Sequence, residues 1–460
     1  MGARIFLLGL DCATPQLLFE RYRADLPTFS ALMEQGAWGR LKSSDPPITV
    51  PAWTCMLSGR DPGELGFYGF RNRADHSYDK LMLANSRAVK VPRAWDVASE
   101  AGLDVVVLGV PQTYPPTPVR GVMVASFLTP TKDSTFTYPP LVKWELDRLA
   151  GGDYVIDVED FRTDDKARLL EAIHTMTRRR FDVMRAWVDQ KPWSLFCAVE
   201  MGPDRIHHGF WRFCNPDHRL YEPGNPFESA LLDYYRLLDA ELGRLLALLP
   251  ADASLLIVSD HGARSMEGGV CVNEWLIREG LLKVKRYPDE VTTLRYDNVV
   301  WEETRAWGEG GYYGRVFLNV EGREPHGVIP EREHLAFRGE LAQRLREIPG
   351  PDGAALGTVV HTPEELYREV NGVPPDLLVY FGDLAWRSVG SLGHRAIHTL
   401  SNDTGPDDAN HDHHGIFIAR DAALAGRGEL SDLTLYDIFP TILDRLGLEA
   451  PAGLRGRVLG

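Results

Sequence analysis

The sequence predicts an α/β fold, a mostly parallel central sheet with helices on both faces. Short apolar runs recur along the chain, and several stop at a polar residue. They include Arg4–Leu10, Asp104–Val110, Trp193–Val199, Ser254–Ser259, Leu377–Phe381 and Gly415–Ala419. Helix-like stretches fall between them, at Pro27–Gln35, Thr163–Gln190, Glu228–Leu249, Glu331–Glu347 and Thr434–Leu446. Continuously apolar strands belong to a sheet buried on both faces, which is what alternation of strand and helix builds. With 460 residues the chain suits one large α/β domain with insertions, or two domains.

The elements have individual justifications. The opening MGARIFLLGLD carries an apolar run too short for a signal peptide and reaches an acid at Asp11, so it reads as a first buried strand. In sheets of this kind ligands bind outside the carboxyl ends of the strands. The strand Ser254–Ser259 runs into Asp260-His261-Gly262, and Trp193–Val199 leads into Glu200-Met201-Gly202-Pro203-Asp204. Three acids from distant parts of the sequence are therefore expected at one sheet edge. Residues 61–92, rich in Gly, Arg, Asn and Tyr, and residues 285–330, mixing Trp, Tyr and Gly, lack periodicity and read as cap or pocket insertions.

Composition bounds the partners. A net charge of −15 argues against nucleic acid as a bulk partner, since backbone binding needs a basic surface. A small phosphorylated substrate remains compatible, because bound metals supply local positive charge. Hydrophobic residues at 44% and charged ones at 25% are ordinary for a globular protein. The cysteines, Cys12, Cys55, Cys197, Cys214 and Cys271, are odd in number and irregularly spaced, so they read as reduced core thiols rather than a disulfide framework. No uninterrupted apolar stretch reaches membrane-spanning length, and the expected location is cytoplasmic.

Four motifs carry chemistry. Asp204-Arg205-Ile206-His207-His208 sets a carboxylate and an imidazole four residues apart, on one face if the segment is helical. A surface Asp/His pair fits that motif equally well. Asp260-His261-Gly262 follows a strongly apolar strand, and its glycine permits a turn that lets adjacent residues share a metal, though such a triplet also serves as plain turn chemistry. His411-Asp412-His413-His414 precedes the run Gly415–Ala419; spacing alone does not say which histidine is a ligand, and a surface loop fits too. Thr49, in Pro47-Ile48-Thr49-Val50-Pro51, sits just before an expected helix start, where amide groups favour anionic oxygen; helix capping is the commoner fate of such a threonine. Together Asp11, Thr49, Asp204, His208, Asp260, His261 and His411 offer three acids, three imidazoles and a hydroxyl, a set suited to two metals with mixed oxygen and nitrogen ligands.

With these motifs in hand the chain resembles the alkaline phosphatase superfamily. Within it the type I phosphodiesterase/nucleotide pyrophosphatase branch is the nearest, and more narrowly the bacterial group labelled predicted phosphohydrolase/phosphomutase. The resemblance runs through LLGLDCATP, ITVPAWTCMLSG, PQTYPPTPVRGVMVASFLTP, PDRIHHGFW, SDHG, VNEWLIREGLL, LNVEGREPHG, PDLLVYFGDLAWRSVGSLG, HHGIFIA and LYDIFPTILDRLGLEAP, in the family's order. It implies one alkaline phosphatase-like catalytic domain over 1–460. It implies a first metal on Asp204, His208 and His411, and a second on Asp11, Asp260 and His261 with the Thr49 oxygen as a further ligand. His411 is favoured over His413 and His414 because the family's last ligand lies four residues before the glycine opening the final strand. Related sulfatases carry a cysteine, converted to formylglycine, where Thr49 stands, so sulfate-ester hydrolysis is disfavoured. Related diesterases use an asparagine shortly after the nucleophile helix, which makes Asn72 and Arg71 both candidates for substrate binding.

The implied activity is two-metal hydrolysis of phosphodiester or pyrophosphate bonds through a phosphothreonine at Thr49. Zinc suits the histidines, and manganese or magnesium suits oxygen-rich positions. Two rivals within the superfamily are a phosphomonoesterase and a phosphomutase, the latter typically using serine as nucleophile. A rival of another class is a metal-containing protein that only binds its ligand. Room for the second substituent of a diester is assigned to aromatic residues, Tyr68, Phe70, Trp307, Tyr312 or Tyr313.

Overall fold

The computed structural model describes residues 3–460. The chain divides into two compact units. The first is made of residues up to Leu65, Ala84–Ala263 and His411–Gly460; the second is Gly66–Leu83 with Arg264–Asn410.

The first unit is built on a ten-stranded sheet. Its middle is parallel: Ser254–Val258, Ile5–Leu10, Leu195–Glu200, Val105–Val110 and Gly121–Ala125 lie side by side in that order. Ile5–Leu10, Leu195–Glu200 and Val105–Val110 are buried at every position, as central strands covered on both faces must be. His414–Arg420 joins antiparallel to Ser254–Val258, and Ala37–Lys42 pairs antiparallel beyond it. Register is explicit at the centre: Leu10 stands opposite Glu200, and Gly9 opposite Val258. The carboxyl ends of the strands leading to Asp11, Asp204 and Asp260 therefore finish level with one another.

Helices follow the expected periodicity. Pro27–Gln35 opens on a proline, whose missing N–H costs nothing in a first turn. Lys166–Gln190 is capped by Asp165, whose side chain accepts from Arg168 N at 3.2 Å. It packs with Gly202–Cys214 and Ala230–Leu246 in one helical layer.

The second unit has its own core. A four-stranded antiparallel sheet runs Ala306–Glu309, Gly314–Leu318, Leu377–Tyr380, Val359–His361. Leu377–Tyr380 thus pairs in this antiparallel sheet and not in the parallel one, because a short apolar run does not specify its partner. Aromatic packing fills the centre, with Tyr78 stacked on Trp301 at 3.5 Å between centroids and Trp307 set edge-on at 5.1 Å from Trp301. The aromatic set expected to line a pocket is largely spent here. Trp307, Tyr68 and Tyr313 are buried, the last donating from its hydroxyl to Tyr68 O at 2.7 Å, while Phe70 and Tyr312 retain partial exposure.

Candidate metal centre

Each ligand candidate owes its position to a local feature of the sequence. Gly9 has room for no side chain: a Cβ there would lie 2.3 Å from the Trp53 ring. That ring packs against the strand, and its Nε1–H donates to Asp11 Oδ2 at 2.6 Å. Asp204 and His208 share one face of the helix Gly202–Cys214, with Asp204 Oδ1 3.2 Å from His208 Nε2. The helix can start where it does because Gly202 leaves space: a Cβ would lie 1.9 Å from the Tyr234 hydroxyl. Gly262 is needed for a different reason from the turn expected of it. It shows no left-handed φ, but a Cβ there would lie 2.2 Å from His414 O, so it admits the final strand at close range.

Thr49 is the first residue of the helix Thr49–Ser58, one position further in than expected. The N-cap is Ile48, which makes no side-chain capping bond, so Thr49 is not serving as the cap. Its Oγ1 instead lies 3.2 Å from His261 Nε2.

Hydrogen bonding fixes the ring orientations. His261 Nδ1 lies 3.0 Å from Gly262 O, and His411 Nδ1 lies 2.8 Å from Pro47 O. A carbonyl only accepts, so in both neutral rings Nδ1 carries the proton and Nε2 presents a lone pair. The Nε2 of His261 faces Asp260 Oδ2 at 3.2 Å and Asp11 Oδ1 at 3.9 Å. The Nε2 of His411 faces Asp204 Oδ1 at 3.9 Å, and the two rings stack with centroids 3.8 Å apart. Asp11 Oδ1 and Asp260 Oδ2 are fully buried and have no hydrogen-bond partner. Lone pairs aimed at buried carboxylate oxygens repel unless a proton or a metal cation lies between them. The donor set therefore fits divalent metal, with the backbone carbonyls of Gly262 and Pro47 orienting the imidazoles.

Charge states agree. Burial, then the negative charge of Asp204, raises Asp11 well above the usual carboxylate range; burial, then Asp11, does the same to Asp260. Burial pushes Asp204 in that direction too, but His208 and Arg205 overcome it and hold this carboxyl well below its usual value. Arg205 binds the second oxygen of Asp204 and is itself held by Asp157 at 2.6 Å. Burial lowers His261 to about 4 and His411 well below 6.5, so both rings are neutral at pH 7.

Asp11, Asp260 and His261 form one group whose ligand atoms lie within 4.8 Å of one another, and Asp204, His261 and His411 form a second. A third, Cys12 with Asp204 and His208, was not expected from the sequence. Adjacency to Asp11 was the available signal, and it is weak, since neighbours usually point apart. Trp53 and Arg205 were also missed as supports for Asp11 and Asp204. The substrate candidates lie in the second unit. Asn72 is buried, its Oδ1 accepting from Tyr68 N at 2.7 Å and its Nδ2 donating to Gly69 O at 2.9 Å. Arg71 is exposed, and its backbone oxygen accepts from Arg315 at 2.6 Å.

The fold belongs to the alkaline phosphatase-like α/β class, and the buried donor set at its strand ends is a candidate metal centre. The particular family follows from comparison. Residues 5–415 match the family of type I phosphodiesterases/nucleotide pyrophosphatases, and the chain belongs to it. Human ectonucleotide pyrophosphatase/phosphodiesterase 5 is similar in structure, with a TM-score of 0.59 at 14% identity, covering 97% of this chain and 96% of that one. The murine protein of the same name, solved as an inactive variant in complex with AMP, gives 0.57 at 13% identity over 98% and 96%. No curated protein matches the sequence. The protein is accordingly a phosphoester hydrolase of a family that typically uses two divalent metals. Among the described residues no helix is long and apolar enough to cross a membrane.

Proposed function

We propose that the protein is a two-metal phosphodiesterase acting on small phosphorylated substrates, with Thr49 as the nucleophile. The observation that carries this reading is the 3.2 Å approach of Thr49 Oγ1 to the unprotonated Nε2 of His261, beside two unpartnered carboxylate oxygens. Asp204, His208 and His411 would hold one cation; Asp11, Asp260 and His261, with the Thr49 oxygen, would hold the other. Bound there, such cations lower the pKa of a coordinated hydroxyl and neutralise charge on a leaving oxygen.

The remaining work falls to the chain. Thr49, at the head of a ten-residue helix, attacks phosphorus in line, with the first-turn amides of Thr49 and Val50 available to a phosphate oxygen. The Thr49 hydroxyl proton leaves to solvent, the P–O bond to the leaving group breaks, and a phosphothreonine ester that still carries the diester's second substituent forms. Water then cleaves that ester, and Thr49 is regenerated. Trp53 and Arg205 fix Asp11 and Asp204, so the ligands need little rearrangement. Zinc is the expected metal. Contact with the non-bridging oxygens is assigned to Asn72 or Arg71, and the five unpaired cysteines suit a cytoplasmic, reducing location. The deciding experiment incubates metal-loaded enzyme with bis-(p-nitrophenyl) phosphate, quenches with acid and maps the label. A p-nitrophenyl phosphoryl group on Thr49 is expected, and turnover without any modification of Thr49 would overturn the assignment.

A further inference from the structure

Cys12 is placed as few cysteines are. Its φ is +63°, in the left-handed region that a glycine would occupy without strain. That backbone conformation lets its N–H donate to Asp260 Oδ1 at 3.2 Å. The side chain is fully buried, and its sulfur, a carboxylate oxygen of Asp204 and a ring nitrogen of His208 lie within 4.8 Å of one another. Sγ lies 3.5 Å from Gly262 O, a contact long enough to be weak. Beside Cys12 in sequence is Asp11, whose Oδ1 is buried without a partner, and the acid that accepts its N–H, Asp260, has Oδ2 in the same condition.

We propose that Cys12 Sγ is a further ligand of the cation held by Asp204 and His208. The inference rests on the two-metal reading above. A glycine at this position would satisfy the backbone but leave the cation with oxygen and nitrogen donors alone. The cysteine adds a soft donor, giving a set of sulfur, oxygen and two imidazoles with His411, which suits four-coordinate zinc or cobalt over magnesium. On binding, the S–H bond breaks, the sulfur keeps the electron pair for the metal, and the proton leaves to solvent. Cys12 would then link the two metal positions, its backbone serving Asp260 and its sulfur serving the neighbouring cation.

The test loads the chelated full chain with cobalt(II) and records the near-ultraviolet and visible spectrum of wild type, Cys12→Ser and Cys12→Gly. Cys12→Gly relieves the left-handed φ, so loss of folding does not confuse the result. The expected outcome is a sulfur-to-cobalt charge-transfer band in wild type that both variants lose, while visible ligand-field bands and cobalt stoichiometry persist. Zinc competition should show one of the two ions held at least about tenfold more weakly in Cys12→Gly, as for loss of lesser supports at metal sites. Two bound cobalt ions with no charge-transfer band in wild type would overturn the role of Cys12 and leave the two-metal reading standing. The same holds if the band survives in both variants, since another cysteine would then be its source. Failure of wild type to bind cobalt or zinc would instead remove the two-metal reading, and this proposal with it.

Discussion

In the second unit, Asp376 is buried and accepts from Arg323 at 2.7 and 2.8 Å, from Leu318 N at 2.7 Å and from His334 at 3.1 Å. In the first, Asp11 and Asp260 are equally buried, yet each leaves one oxygen without a partner. Burial works against all three charges. At Asp376 the bonds from His334 and Arg323 overcome it and lower the pKa, whereas at Asp11 and Asp260 it prevails and the pKa rises. Asp376 is complete within the protein and needs nothing further. The other two are costly to ionise as they stand, which is the condition expected of a site built for a cation.

The sharpest way to break that contrast is to keep every carboxylate and imidazole of the centre and remove the proposed nucleophile. Thr49→Ala should lower kcat by roughly 10⁴-fold or more, as losses of a nucleophile do. Zinc content should hold, and stability should change by no more than about 1 kcal/mol, because Thr49 makes no capping bond. Activity assays paired with metal analysis and thermal melts would check both halves. Activity comparable to wild type would mean that water attacks directly.

Metal removal should come next in size. Restoring zinc at a hundredfold excess over its Kd should stabilise the chelated protein by about 2.7 kcal/mol. The pH dependence of the chelated form has a definite sign for the two acids. Their folded pKa values lie above the unfolded 3.8, so their favourable contribution is present below 3.8 and is lost as pH rises through the raised folded values. Asp260→Asn should therefore raise the Tm of chelated protein at pH 8, while reducing the gain on adding zinc. An equal loss of Tm in both forms would mean that Asp260 is structural, like Asp376.

Asp376→Asn tests the other side. Removing one partner of a buried pair should cost about 2 kcal/mol at pH 7 with metal content unchanged, since Arg323 is partly exposed. Here the folded pKa is depressed, so the stabilisation is present above 3.8 and fades as pH falls through the folded value. Chemical denaturation at pH 7 and pH 3 would check it, and a variant that loses its zinc would refute the separation between the two acid clusters.

Legibility from sequence followed the range of the interactions. Pro27–Gln35 has the expected limits, and Ile5–Leu10, Val105–Val110 and Leu195–Glu200 fall within a residue or two of them, because buried periodicity is local. Ala37–Lys42 was not expected, since its alternating Arg40 and Lys42 hide a strand whose partners are far away in sequence. At the metal centre the motif residues were legible as types, and their meeting depends on the level ends of parallel strands. In sequence Cys12 has the signature of a core thiol, because nothing local shows that a left-handed φ carries its sulfur toward Asp204.

The smallest effect concerns substrate class. A monoester dianion carries more charge on its non-bridging oxygens than a diester monoanion, and rewards cationic contacts beyond two metals. Arg71 is exposed, so its charge is screened and any pairing is worth no more than about 1 kcal/mol, roughly fivefold in rate. Asn72 already spends its oxygen and one amide hydrogen on Tyr68 and Gly69, leaving a second hydrogen, a neutral donor suited to a monoanion. Diesters should therefore be preferred, and Arg71→Ala should change kcat/KM for bis-(p-nitrophenyl) phosphate by less than about tenfold. The comparison is made against p-nitrophenyl phosphate in one metal-saturated preparation. A monoester preference that disappears in Arg71→Ala would make the arginine the discriminating group and move the protein's activity toward the phosphatases.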